Sequence, residues 1–103
     1  MLDEKSLRSD LEKTAVEILS QKFWPVADVA AFLGYQVQNV YLILDKQGCH
    51  AIRFGGKMQL YAYEVLLLFE QQCGIEFQEL ADQWFVRFKI TPPRRFRQTS
   101  FNF

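Results

Sequence analysis

The segment from Pro25 to Glu70 constrains the fold more than any other part of the chain. Two short helical patterns are separated by Gly34, and the pair Gly55-Gly56 then interrupts two short strand-like stretches. Glycine adopts left-handed backbone conformations at little steric cost, and Gly-Gly between strands signals a tight hairpin turn. A third apolar helical pattern follows. The predicted order is therefore helix, glycine turn, helix, two-stranded hairpin, helix.

The spacing of the apolar residues predicts five helices in all. A stripe at intervals of three and four residues predicts a first helix over residues 4–22, which Pro25 ends. Two short helices over 26–33 and 36–46 flank Gly34, and two more cover 62–72 and 76–86. In the third helix we expect one apolar face, made by Val37, Val40, Tyr41 and Leu44.

Two strands account for the hairpin. Residues 50–54 predict one strand, with Ile52 and Phe54 on one face and Arg53 on the other, and residues 58–61 return antiparallel. The expected fold class is therefore mainly α with a two-stranded β element.

The length of 103 residues predicts one domain in four segments. Residues 1–24 form an amphipathic helix and a candidate dimerisation element, residues 25–72 the helix and hairpin unit, residues 73–91 a helical extension, and residues 92–103 a basic aromatic arm. The aromatic content is 16%, including ten Phe. Because a small domain buries a limited share of its surface, we expect some rings in a homodimer interface, with the helices at 4–22 and 62–86 as candidate surfaces.

The charges are unevenly distributed although the formal net charge is zero. Residues 73–86 carry three acids and no bases, whereas residues 87–103 carry five bases and no acid. A neutral sum is not the basic footprint of a stand-alone nucleic-acid binder. The cations instead accumulate towards the arm.

The sequence contains no recognisable catalytic or metal-binding motif. Two cysteines lie 24 positions apart without a CxxC, and His50 is the single histidine, so we expect neither a disulfide framework nor a zinc site. Nucleophile-elbow, phosphate-loop, zinc-helix and calcium-loop motifs are missing. We expect no enzyme and no cofactor. With no leader-like or membrane-spanning run, we expect a cytoplasmic protein.

The segment Val26–Leu67 resembles the winged helix-turn-helix of the MerR and excisionase superfamily. It shares Leu33-Gly34, Val40-Tyr41, Gly48 and the run 51–57, which reads AIRFGGK, over about 45 of the 103 residues. The resemblance implies that the helix 36–46 reads the major groove of double-stranded DNA and that the hairpin 50–61 is the wing. The chain departs from the family in its recognition helix. Gln36 and Val37 replace a small hydroxyl residue and a basic residue, and Leu42 replaces an arginine.

The candidate base-reading residues are Gln36, Gln38 and Asn39. Amide side chains can pair bidentately with adenine, although the same side chains also suit a merely solvated helix surface. The resemblance implies that Tyr41 reaches a DNA phosphate. The alternative is a tyrosine packed under the hairpin.

Two further sets of residues are candidates for DNA contact. Arg53, Gly55, Gly56 and Lys57 map onto the wing, where the resemblance implies contact with phosphate or the minor groove. The arm residues Arg94, Arg95 and Arg97 could follow phosphates or lie in a minor groove. A solvated tail and an arm that docks on a second subunit remain alternatives.

The resulting hypothesis is a small, dimeric, sequence-specific DNA-binding regulator, acting as a transcriptional repressor. The chain lacks room for an effector domain, so we expect no small-molecule effector. One alternative is a protein-interaction module on the same scaffold, favoured by the near-neutral helix 36–46. Another is a recombination directionality, partition or packaging factor of a phage, plasmid or transposon.

Overall fold

The computed structural model describes residues 4–47 and 51–92. Within them, the chain forms five helices and a small antiparallel sheet, so the predicted mainly α fold with a β element is confirmed at that level. The elements are α1 (Glu4–Ile18), β1 (Phe23–Pro25), α2 (Val26–Leu33), α3 (Val37–Lys46), β2 (Ile52–Phe54), β3 (Lys57–Tyr61), α4 (Ala62–Cys73) and α5 (Gln78–Phe88).

The sheet has three strands in the order β1-β3-β2, where the sequence predicts two. The unexpected strand is β1, which pairs Phe23 with Tyr61 and Pro25 with Gln59. Three residues are too few to display an alternating pattern, and a proline lowers the expectation of a strand. Pro25 is tolerated because β1 is an edge strand, which leaves one side of its backbone without a hydrogen-bonding neighbour.

Helix α1 ends at Ile18, four residues earlier than the periodicity predicts. Side chains of other elements bond the carbonyl groups just beyond this point. Trp24 Nε1 donates to the Ile18 oxygen at 2.8 Å, and Arg87 Nη2 donates to the Leu19 oxygen at 2.8 Å. These donors replace the N–H groups that a longer helix would have supplied.

Helix α4 is the centre of the core. Eight of its residues are buried, and α1, α5, β1 and β3 all pack against it. Most apolar side chains of α4 are buried within the chain, and the candidate dimer surface over residues 62–86 stays a prediction. Among the exposed large apolar residues of α1 and α5 are Leu7, Val16 and Val86.

Two buried glutamates of α4 bond backbone N–H groups. Glu64 Oε1 accepts a hydrogen bond from the Tyr61 N–H at 3.4 Å, which helps to start α4. Glu70 Oε2 accepts one from the Phe77 N–H at 2.6 Å, at the start of α5. Such bonds offset part of the cost of burying a carboxylate.

Candidate nucleic-acid interface

The turn between α2 and α3 is fixed from both sides. Gly34 ends α2 in the left-handed conformation, with φ 77°, and its N–H donates to the Ala30 oxygen. From α4, Gln72 Nε2 donates to the Leu33 oxygen at 2.7 Å. The turn thus orients α3 relative to the central helix. The predicted glycine turn between two short helices is confirmed.

Helix α3 buries less of its apolar face than the sequence predicts. Val40 and Leu44 are buried, but Val37 is 43% exposed and Tyr41 is 39% exposed. The four residues share one face of α3, but only two of them are buried. Because α2 is the principal neighbour of α3, only a narrow stripe of α3 is covered. The exposure of Tyr41 also argues against a tyrosine fully packed under the hairpin.

The outermost ridge of α3 carries no cation. At 100° per residue, Gln38, Leu42 and Asp45 lie opposite the buried pair Val40 and Leu44. Leu42 is the most exposed apolar residue of this ridge, at 60%. Asn39 is exposed beside it, and Gln36 stands at the N-cap in an extended conformation without a side-chain cap bond.

The hairpin has the tight geometry that the sequence predicts. β2 pairs Arg53 with Met58 and Phe54 with Lys57, and the turn between them consists of Gly55 and Gly56. Both glycines have positive φ angles, 62° and 78°. A type I′ turn requires such angles, which suit the right-handed twist of the strands. A Cβ at either glycine would meet no atom within 4 Å, so the requirement is conformational.

The sheet is locally basic. Residues 22–25 and 51–61 include Lys22, Arg53 and Lys57 and no Asp or Glu, although the whole chain is neutral. All three cations are exposed. In contrast, α5 and the loop before it carry the acids Glu76, Glu79 and Asp82 as exposed side chains.

An aromatic row crosses one face of the sheet, and the sequence pattern did not reveal its extent. Phe23 stacks on Phe54 with ring centroids 5.2 Å apart and on Tyr61 with centroids 4.9 Å apart. Phe54 remains 56% exposed at the base of the Gly-Gly turn. The available signal was the strand alternation that places Phe54 and Lys57, as cross-strand partners, on one face.

The structure sorts the predicted site residues into two groups and leaves a third outside. Gln38, Asn39 and Tyr41 lie on α3 with Gln36 at its N-cap, although Asn39 and Tyr41 are about 160° apart around the helix axis. Arg53, Gly55, Gly56 and Lys57 lie on the hairpin, with Arg53 and Lys57 on opposite faces. The arginines of the arm, Arg94, Arg95 and Arg97, lie outside the described residues, as do Gly48, Cys49 and His50.

Two features are missing from the described residues, a metal-binding group and a membrane-spanning helix. Across residues 4–47 and 51–92, no group of three or more His, Cys, Asp or Glu side chains is placed to hold a metal ion. Within the same ranges, no helix combines the length and the apolar character needed to cross a membrane.

Comparison with protein-family models, curated proteins and solved structures yields no match to this chain.

Proposed function

We propose that this chain is a small, homodimeric regulator that binds double-stranded DNA as a winged helix-turn-helix of the MerR and excisionase type and represses transcription. The observation that carries the proposal is the order of exposed elements. An exposed helix, α3, follows a left-handed glycine, and a tight hairpin comes next whose only charged side chains are the cations Arg53 and Lys57.

In the proposed complex α3 lies in the major groove. An α-helix with its side chains is about 10–12 Å across, which suits a groove about 12 Å wide. Gln38 and Asn39 read base edges, and Tyr41 contacts a phosphate. The first turn of α3 begins after Gln36 and has no side-chain cap. In the proposed complex it lies near the DNA backbone, where the N–H groups of the turn favour a phosphate.

The hairpin supplies the charge that α3 lacks. Arg53 and Lys57 bind phosphates, and the two glycines let the turn approach the backbone closely. In a symmetric dimer the two α3 helices occupy successive major grooves, about 34 Å apart. Occupying an operator in this way blocks transcription. A recombination, partition or packaging factor would use the same contacts.

The test begins with selection of a duplex from a random-sequence pool by the full chain. Binding of the selected duplex is then measured by fluorescence anisotropy against a scrambled duplex. Arg53→Gln and Lys57→Gln each weaken binding to both duplexes, because phosphate contacts are independent of sequence. Asn39→Ala narrows the difference in affinity between the selected and the scrambled duplex.

The matched control is Lys13→Gln, which removes an exposed cation from α1, away from the hairpin. Lys13→Gln leaves the affinity for both duplexes unchanged. If Lys13→Gln and Lys57→Gln weaken binding equally, the attraction is a general charge effect and the proposed docking is wrong. If no duplex is enriched, DNA binding itself is wrong.

A second candidate is a protein-interaction module, which the surface of α3 favours. Val37, Tyr41 and Leu42 are exposed apolar residues on that helix, and Asp45 lies on the same ridge as Leu42. Exposed apolar surface of this kind is typical of protein–protein interaction sites. Under this hypothesis Leu42→Ser abolishes partner binding, whereas Lys57→Gln has no effect.

A further inference from the structure

We propose that Phe54 is an additional DNA-contacting residue, whose ring enters the minor groove and wedges against a base step beside the phosphates held by Arg53 and Lys57. This inference rests on the proposed function and extends it. The candidate contacts derived from the sequence for the hairpin are cations and glycines, and none of them supplies an apolar surface.

The position of Phe54 suits this role. It is the last residue of β2, directly before the turn, and its side chain is 56% exposed. Its cross-strand partner is Lys57, so the ring and an ammonium group project from the same face of the hairpin tip. The Gln59 side chain donates to the Phe54 carbonyl oxygen at 2.9 Å and ties β2 to β3 at this point.

The ring is also held in place from behind. Phe23 stacks on it at an interplanar angle of 19°, and Tyr61 stacks on Phe23 in turn. A ring that is supported on one side and open to solvent on the other loses little conformational freedom on binding. Phe54 and its neighbour Ile52 lie outside the main core, so the aromatic row does not require Phe54 to complete that core.

The charge around Phe54 selects the occupant of this surface. Lys57 projects beside Phe54 on the same face, and Lys22 Nζ lies 5.5 Å from the centroid of the Phe23 ring, whereas Arg53 projects from the opposite face. Residues 22–25 and 51–61 contain no acid. A second copy docked by the same face would bring like charges together. The arm of this chain carries Arg94, Arg95 and Arg97 and would do the same. A nucleic acid is polyanionic and offers flat apolar bases, so it complements both properties of the face.

The dimensions of the hairpin favour the minor groove of a duplex. Two paired strands lie about 4.8 Å apart, and the minor groove is about 6 Å wide. Only the tip of a hairpin can enter so narrow a groove, and Gly55 and Gly56 leave that tip without side chains. Phenylalanine is among the apolar residues that wedge between base steps from this side.

The test uses the duplex selected by the wild-type chain, with 2-aminopurine placed in turn at each adenine. Wild-type binding raises the fluorescence of the probe at one base step, because the unstacked base is no longer quenched. Phe54→Ala removes this increase and weakens binding about tenfold. Phe54→Leu keeps an apolar side chain on the hairpin but lacks a flat ring. It therefore gives a smaller 2-aminopurine fluorescence increase than the wild type.

The salt dependence separates a direct contact from a collapsed hairpin. If Phe54→Ala merely disordered the hairpin, the contacts of Arg53 and Lys57 would be lost too, and the slope of log affinity against log salt would become shallower by about 1.8. A direct apolar contact leaves that slope unchanged. A shallower slope with Phe54→Ala, or a 2-aminopurine increase that survives it, would overturn the wedge.

The control variant is Thr91→Ala, which trims an exposed side chain after α5 and outside the candidate dimer helices. It changes neither affinity nor fluorescence. Failure of the wild-type chain to enrich any duplex would refute the proposed function itself. Tight wild-type binding with no unstacking at any step would refute the wedge alone. Equal affinity for the corresponding single strand would also refute it, since no minor groove exists there.

Discussion

The indole Nε1 of Trp84 donates a hydrogen bond to the backbone oxygen of Gln21 at 3.1 Å, joining α5 to the turn after α1 across 63 positions of sequence. The Trp84 ring also lies within 5.1–6.3 Å, centroid to centroid, of four other rings, which belong to Tyr61, Tyr63, Phe85 and Phe88. Because it is both buried and hydrogen-bonded, Trp84 fixes α5 against the segment between α1 and β1.

Trp84→Phe is expected to lower the free energy of unfolding by about 1–3 kcal/mol, since the Gln21 oxygen loses its donor and the smaller ring leaves space. Trp84→Ala should cost about 3–5 kcal/mol. Urea denaturation followed by circular dichroism measures both values. Val86→Ala is the matched control on the same helix and should stay within about 0.5 kcal/mol of the wild type. An unchanged free energy of unfolding in Trp84→Phe would contradict the role given to the hydrogen bond.

Glu70 is expected to be a stability residue that acts through the start of α5. Glu70→Leu leaves the Phe77 N–H without its acceptor and should cost about 1–3 kcal/mol. Glu70→Gln retains an oxygen acceptor and should cost less. Hydrogen exchange of the Phe77 amide provides the local measurement, with faster exchange expected in Glu70→Leu. Unchanged exchange at Phe77 would show that the 2.6 Å bond does not hold this helix start.

Gly34 is expected to tolerate asparagine better than alanine. Its φ of 77° lies in the left-handed region, so Gly34→Ala should cost about 1–2 kcal/mol through backbone strain. A Cβ there meets no atom within 4 Å, so no clash adds to that cost. Thermal unfolding of both variants provides the measurement. If Gly34→Asn lowers the stability as much as Gly34→Ala does, the left-handed conformation is not the reason that glycine is needed here.

Leu42→Arg is expected to strengthen DNA binding if α3 enters the major groove. The position is 60% exposed and central on the outer ridge, so a cation there reaches phosphate without disturbing the core. One additional phosphate contact should steepen the slope of log affinity against log salt concentration by about 0.9. Fluorescence anisotropy at several salt concentrations measures both quantities. Val16→Arg places the same cation on an exposed position of α1 and is the control. An identical gain in that variant would refute the placement of α3 in the groove.

Much of the local structure follows directly from the sequence. The positions of α2, α3, α4 and the hairpin agree with apolar spacing and glycine placement, because Gly34 and the Gly55-Gly56 pair impose conformations that other residues resist. The separation of charge is likewise a property of the sequence. These features depend on short-range sterics and on periodicity. Both involve residues that are close in sequence, so they can be predicted without tertiary contacts.

Tertiary packing determines which faces of the helices and strands are buried or paired. The strand β1 exists because residues 23–25 meet β3, a pairing between segments more than 30 positions apart that no local pattern encodes. The burial of α4, and the exposure of Val37 and Tyr41, depend on how many neighbours each helix has. The same holds for the exposed ring of Phe54. Burial is a property of the assembled packing, so apolar periodicity could identify the candidate faces but could not determine which of them solvent would reach.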